Sequence, residues 1–560
     1  MELKNFKSLP GKSISGTVLM FFLLVFSFTL KAQSREPESP KLIIRVVVEQ
    51  MRYEMLLRYW EKFDQDGGFK TLIDNGLLCK NTSLGYAITD RSSGFATLAS
   101  GADPSMHGIV SDYWYDRLSD KNVLCIEDKD YEVIGGVNGR GEYGYSPGRI
   151  FSTTLGDEMK TINERSKIYS VSLNPVSSVL GNGRLSDGAF WFDDKTGNWI
   201  TSSYYLDSLP GWVNDFNNKG LQDLYMDRSW DKLMPDSNYT SSLPDKNDAE
   251  EGFLLIYRKH FPYDLSQLKN KSRSYKYLKY TPFGNTYTKD FALALMTNEE
   301  LGMDDNTDLL NLSFASSSYL NDIFGPRSVE MEDMFLRMDK QLKHLLTYIE
   351  EKIGNENVLL VLTADRGCAD SYEFRKAKRL PAKKFNPGNG ITLLNSYLNI
   401  IYEEGNWIKA YANKQLYLDH GLIDQQGYSI ETFQEKISRF MLKKSGVFYA
   451  TKATTLKNTN FASGVLKRMQ RSFHPKRSGD IFLALEPGTA EYPESTGSVF
   501  NYDNHIPLIW YGMNIVPGKS VSRMYLKDIT PTISTLLNIP LPDASQGEPV
   551  KEVLDSFRKK

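Results

Sequence analysis

Two apolar runs constrain this chain more than any other feature. Lys41 to Glu49 reads KLIIRVVVE, and Asn357 to Ala364 reads NVLLVLTA with Asp365 next. Both are near-continuous aliphatic segments that end on an acid. A strand that is apolar on both faces must be covered on both faces, which is the pattern of a central strand in a parallel sheet. Ile168–Leu173, Asp308–Phe314 (DLLNLSF) and Ile506–Tyr511 are further strand candidates. Between them lie helical segments: Met51–Phe63, a second opening at Gly67-Gly68-Phe69, and a final one opened by Thr530-Pro531 and running through Leu537. Met331, Met334, Phe335, Met338, Leu342, Leu345, Leu346 and Ile349 recur at helical spacing and predict an amphipathic helix over 331–349. Strands alternating with helices imply an α/β fold with a mainly parallel sheet. Ligands of such folds bind beyond the carboxyl ends of the strands. Glu49, Asp365 and the polar segment Ala315–Asp322 all fall there, so residues hundreds of positions apart are predicted to converge.

The stretch Tyr86–Ile109 (YAITDRSSGFATLASGADPSMHGI) has the grammar of a turn into a helix. Ser92, Ser93 and Gly94 suit a tight helix start, and Phe95, Thr97 and Leu98 begin an apolar face. A helix N-terminus favours anions. Here that place is taken by Arg91, whose guanidinium is neither a nucleophile nor, while charged, a metal ligand.

With 67 Lys plus Arg against 69 Asp plus Glu, the chain offers no electrostatic reason to bind nucleic acid. Residues 1–32 resemble a secretory signal, with Lys4, Lys7 and Lys12 before the apolar run Thr17–Leu30 and a cleavage point at Ala32; an uncleaved anchor is the rival reading. No later run is long enough to span a bilayer. In an exported protein one pair could form among Cys79, Cys125 and Cys368. Residues about 180–300 read as a loop-rich cap insertion. Residues about 370–490 read as a second insertion of basic loops, short strands and one helix, Ser429–Leu442. The run Arg375–Lys384 reads as a solvated loop. Isolated His260, His344, His420 and His474 carry no pattern, and His107 reads as scaffold.

In VVVEQMR, GGFKTLI, ASGADPSMHGI, WFDDKTGNWITSSYY, VLTADRG, NYDNHIPLIWYG and DITPTISTLLNIPLP, the chain resembles the alkaline phosphatase superfamily. It is most similar to exported phosphatases with a single threonine nucleophile, relatives of nucleotide pyrophosphatase/phosphodiesterases. The resemblance runs from about Leu42 to Val550 and implies a three-layer α/β/α core over residues 40–550. It also implies a two-zinc site, and carrying the family pattern over one position at a time exposes substitutions. The first zinc-binding Asp falls on Glu49 and the nucleophile on Arg91. The Asp-x-x-x-His pair falls on Ser318 and Asp322, and the Asp-His pair on Asp365 and Arg366; the last His is His505. The phosphate-holding Asn falls near Asp112, and the phosphate-contacting Lys and Arg near Asn174 and Val176.

Two functions compete on these grounds. The first is a non-catalytic protein of the cell envelope, periplasmic or associated with the outer membrane. It would hold an anion through Arg91 and Arg366, pair these with Glu49 and Asp365, and engage a protein partner. Zinc is not expected in it, and if one ion bound, Asp322 and His505 would hold it; otherwise those two would hydrogen-bond each other. The alternative is an active phosphomonoesterase, phosphodiesterase or sulfatase-like hydrolase with an altered metal site, which must find its nucleophile elsewhere.

Overall fold

The computed structural model describes residues 39–137, 143–247, 250–492 and 497–558. The signal-like segment 1–32 lies outside the described residues. Pro40–Lys560 forms one unit.

In chain order, the elements that build the site are β1 (Leu42–Val48), β2 (Leu77–Ser83), α1 (Arg91–Ser100), β3 (Ile168–Ser172), α2 (Pro175–Asn182), β4 (Gly188–Phe192) and β5 (Trp199–Ser202). They continue with α3 (Pro282–Asn298), β6 (Asp308–Phe314), α4 (Ser316–Phe324), α5 (Val329–Lys352), β7 (Val358–Thr363), β8 (His505–Ile506), β9 (Leu508–Gly512), β10 (Gly518–Tyr525) and α6 (Lys551–Arg558). The main sheet runs β8-β2-β9-β7-β1-β6-β3-β4-β5, with Val133–Ile134 beyond β5 and β10 on β2. Its centre is parallel: Leu42 of β1 lies opposite Asp308 of β6 on one side and Val358 of β7 on the other. β1, β6 and β7 are buried along their whole lengths. Helices cover both faces of such a sheet, which explains why these strands are apolar on both sides.

Arg45 interrupts the apolar pattern of β1 for a structural reason. Fully buried, it donates from Nη1 to the Leu98 carbonyl of α1 (3.0 Å) and from Nη2 to the Gly181 carbonyl of α2 (2.7 Å); Nε reaches Asn311 Oδ1 of β6. One side chain thus fastens two helices to the sheet beneath the site.

The structure corrects several expectations. Ile506–Tyr511 does hold a strand, but β9 runs antiparallel to β7. Residues 180–300 are not all loop: β4 and β5 extend the main sheet, and α3 is a 17-residue helix. Its Gly, Asn and Thr residues lower helix propensity, and burial overrides that weak preference. Residues 370–490 hold more than one helix, among them Pro387–Ile401 and Gly464–Ser472 besides Ile430–Met441. They also carry a four-stranded sheet with a core of its own around Trp407, Phe433 and Leu483. The basic run Arg375–Lys384 is part helix and part strand, and Lys383 and Lys384 pair with Glu486 and Glu373. The helix near Thr530 begins at Ile529 and is not the last, because α6 follows. All three cysteines are buried and unpaired. Among the described residues no helix is long and apolar enough to cross a membrane.

Candidate active site at the carboxyl ends of the central strands

Glu49 follows β1 directly, and its backbone N–H donates to the Phe314 carbonyl at the end of β6 (3.0 Å). Asp365 and Arg366 follow β7. Arg91 is the first residue of α1, and Ser318 and Asp322 lie one turn apart on α4. The parallel register places these three strand ends side by side. Helix α1 sits close against the end of β7 at Gly94: a Cβ there would lie 2.4 Å from the Asp365 carbonyl oxygen. Glycine is therefore required by the approach of helix to strand rather than by its backbone angles.

Six of the seven positions assigned from the sequence surround one another. Arg91 Nε donates to Glu49 Oε2 (2.8 Å), and Arg366 Nη1 pairs with Asp365 Oδ2. Each ion pair is monodentate, because the other arm of each guanidinium goes elsewhere. Arg91 Nη2 and Arg366 Nη2 both donate to Ser318 Oγ, at 3.0 and 3.1 Å. The serine hydroxyl thereby bridges the two arginines. The remaining acid oxygens are also satisfied. Glu49 Oε1 accepts from Ser177 Oγ (2.5 Å) and Ser313 Oγ (2.9 Å), and Asp365 Oδ1 accepts from the Gln50 backbone N–H (2.9 Å). Gln50 adopts φ 57°, a left-handed conformation uncommon for a residue with a side chain, immediately after the strand end.

Burial opposes charge on Glu49, which is 0% exposed, but the fields of Arg91 and Arg366 outweigh it and hold the carboxylate below its ordinary range. Burial likewise opposes Arg91 and Arg366, and the neighbouring acids, Glu49 for the first and Asp365 for the second, keep both firmly charged. Asp365 is pushed up to about 6 by burial despite Arg366. Asp322 is also raised to about 6 by the protein around it, against the pull of the two arginines. Its carboxyl nevertheless opens to solvent, in a cleft of about 200 Å³ that Gln50 and Gly367 also line. The seventh position, His505, does not join the group. Its Nε2 lies 2.8 Å from the Lys80 carbonyl, and its ring stacks on Tyr53 at 4.8 Å. The expected bond between Asp322 and His505 is absent, because the pairing of β8 with β2 turns the imidazole toward the strand.

The secondary positions also differ from a phosphate site of the usual kind. Asp112 accepts the Ser92 N–H (2.9 Å), so an acid of the chain caps α1 where an external anion would sit. Asn174 caps α2 through the Val176 N–H (2.9 Å) and donates to the Tyr319 hydroxyl (2.8 Å); neither it nor Val176 supplies a cation. His107 is scaffold: it is buried between Thr97 Oγ1 and the Ile109 N–H (both 3.1 Å). Sequence reasoning missed Ser177, Ser313 and Gln50. The signal for Ser313 was present, since it and Asn311 break the apolar run of β6 on one face.

The model of the family described as type I phosphodiesterase / nucleotide pyrophosphatase matches residues 43–503. This chain belongs to that family. Within it, the alkaline phosphatase PafA of Elizabethkingia meningoseptica is 35% identical over 541 residues, covering 95% of this chain and 98% of that one. The alkaline phosphatase PhoV of Synechococcus elongatus is 32% identical over 525 residues, covering 92% and 93%. The crystal structure of wild-type PafA superposes with a TM-score of 0.87 at 34% identity, covering 92% of this chain and 99% of that one. The α/β architecture is thus that of an alkaline phosphatase. The expectation of a non-catalytic protein is overturned: PafA and PhoV, which match this chain almost end to end, are named as alkaline phosphatases.

Zinc, which this family resemblance implies, requires three or four deprotonated N, S or O donors around each ion. Among the described residues no group of three His, Cys, Asp or Glu side chains is arranged to hold a metal. The two buried acids are engaged by guanidiniums, and His505 faces a carbonyl. The donor set does not fit a zinc pair, and no chemical step is derived through one below.

Proposed function

We propose that this chain hydrolyses phosphate esters, as a phosphomonoesterase or phosphodiesterase, using the arginine pair where its relatives' pattern places a nucleophile and metal ligands. The observation that carries this reading is the similarity to named alkaline phosphatases over nearly the full length of both chains. Arg91 and Arg366 supply fixed positive charge beside the cleft; Arg91, with 13% of its side chain exposed, is the one open to a substrate. Such groups stabilise the charge that builds on the equatorial oxygens of a transferring phosphoryl group. Asp322 is the candidate general base. It is open to the cleft, lies within the field of both arginines, and is tuned toward neutrality. In the proposed step a water oxygen bonds to phosphorus while the ester P–O bond breaks. The water proton passes to Asp322, and the leaving oxygen departs with the bonding pair to be protonated from Asp322 or solvent. Residues 1–32 support export to the cell envelope, and the insertions about 180–300 and 370–490 are assigned as the walls that select the substrate.

The test is hydrolysis of p-nitrophenyl phosphate and bis(p-nitrophenyl) phosphate by the purified chain, after chelator dialysis and again with added zinc. Turnover that survives chelation and disappears in Asp322→Asn is expected. Turnover that appears only with bound zinc would overturn the role given to the arginines but keep the hydrolase. No turnover under either condition would overturn the hydrolase itself.

A further inference from the structure

The cleft beside the arginine pair is strongly one-sided in charge. Eight of the side chains lining it are Asp or Glu, and one, Lys414, is basic. Some of these acids are already neutralised: Asp370 pairs with Arg52 and Arg327, and Glu491 with Lys414. Among the described residues Glu250, Glu251, Asp322 and Asp503 form no ion pair.

An acidic surface alone identifies no ligand, but the cleft wall carries a second and independent feature. Gln50 is 2% exposed and its Oε1 has no hydrogen-bond partner. Glu250, which also lines the cleft, is 5% exposed, and its Oε2 is likewise unpartnered although Oε1 accepts from Asn247 (3.1 Å). Asn321 Oδ1, beside Asp322, is a third. Buried polar atoms without partners are rare because each forfeits its hydration. Gln50 Oε1 and Asn321 Oδ1 are amide oxygens, which only accept, so what they lack is an N–H or O–H donor. A metal ion is the poorer match, since no three ligating side chains are grouped to receive one.

We propose that this cleft receives the ammonium group of an aminoalkyl phosphate ester, whose amine faces Gln50, Glu250 and Asp503 and whose phosphate end points past Asp322 toward Arg91, the partly exposed arginine of the pair. This subsite rests on the hydrolase reading for its orientation. An ammonium brings both things the wall lacks, positive charge and several N–H donors. A quaternary ammonium brings only the first. Burial and the nearby Glu330 push the Glu250 carboxyl up to about 9, so in the empty cleft it is protonated at neutral pH. An incoming cation would supply the counter-charge that lets it ionise.

The experiment compares calorimetric binding of 2-aminoethyl phosphate, ethyl phosphate and 2-(trimethylammonio)ethyl phosphate to the full chain. Hydrolysis of p-nitrophenyl phosphate is followed on the same preparation. Charge-assisted hydrogen bonds predict that the primary amine binds about tenfold or more tighter than ethyl phosphate. That preference should fall to within about twofold in Gln50→Leu/Glu250→Leu. Equal affinities of the amine and ethyl esters, or a preference that the double variant leaves intact, would overturn the subsite. A quaternary ester that binds as tightly as the primary amine would overturn the donor assignment. Because binding is read separately from turnover, failed hydrolysis with the amine preference intact would strike the catalytic reading alone.

Discussion

Arg91 can be removed without emptying its site, which makes it the sharpest perturbation of the buried charge cluster. In Arg91→Met, Glu49 stays buried and keeps its hydrogen bonds from Ser177 and Ser313, but loses the guanidinium at 2.8 Å. At an effective dielectric near 20, the gross attraction over that distance is about 6 kcal/mol, much of which offsets the desolvation of both groups. Breaking a buried pair from one side costs about 3–5 kcal/mol. With two hydroxyl donors retained, the lower end, about 3 kcal/mol, is expected at pH 8. The pH dependence has a definite sign. In the parent chain Glu49 lies below its ordinary 4.5, so its pairing contributes stability above that value and loses it as pH falls through the folded value. In the variant, burial without Arg91 lifts the acid, and the native state takes up a proton on acidification. The difference between the two proteins must therefore shrink from pH 8 toward pH 5. Urea unfolding followed by tryptophan fluorescence at both pH values measures it. The neutralised double variant Glu49→Gln/Arg91→Met should return to within about 1 kcal/mol of the parent. A loss below about 1 kcal/mol at pH 8, or the same loss at pH 5, would refute the assignment of Arg91 as the counter-charge of Glu49.

Three further outcomes follow from the same geometry. With Asp322 as base, kcat/KM should rise with pH through an apparent pKa near 6, and Asp322→Asn should lower it about 10²- to 10⁴-fold and flatten the profile. Gly94→Ala drives a methyl against the Asp365 carbonyl 2.4 Å away; a loss of about 1–3 kcal/mol is expected in thermal unfolding, together with reduced turnover as α1 shifts. The combined set Glu49→Asp, Arg91→Thr, Ser318→Asp, Asp322→His and Arg366→His supplies the ligand types that the family pattern calls for. It should take up about two zinc ions per chain by elemental analysis, where the parent takes up none in stoichiometric amount.

What sequence alone determined is local in origin. The apolar runs at Leu42–Val48, Asp308–Phe314 and Val358–Thr363 declare buried parallel strands because burial on both faces leaves no room for polar alternation. From strands of that kind it follows that Glu49, Asp365 with Arg366, and the Ser318 segment meet at one end of the sheet; that Arg91 stands among them was implied by the family resemblance. Hydrogen-bond partnership was not legible. That Ser318 bridges Arg91 and Arg366, that Ser177 and Ser313 hold Glu49, and that His505 turns to the Lys80 carbonyl depend on strand register and helix rotation between segments far apart in the chain. No local periodicity encodes those relations. The cleft is the clearest case. Gln50, Glu250, Lys414 and Asp503 come from four separate stretches, and only their packing sets unpartnered oxygens and surplus acids beside a pair of arginines.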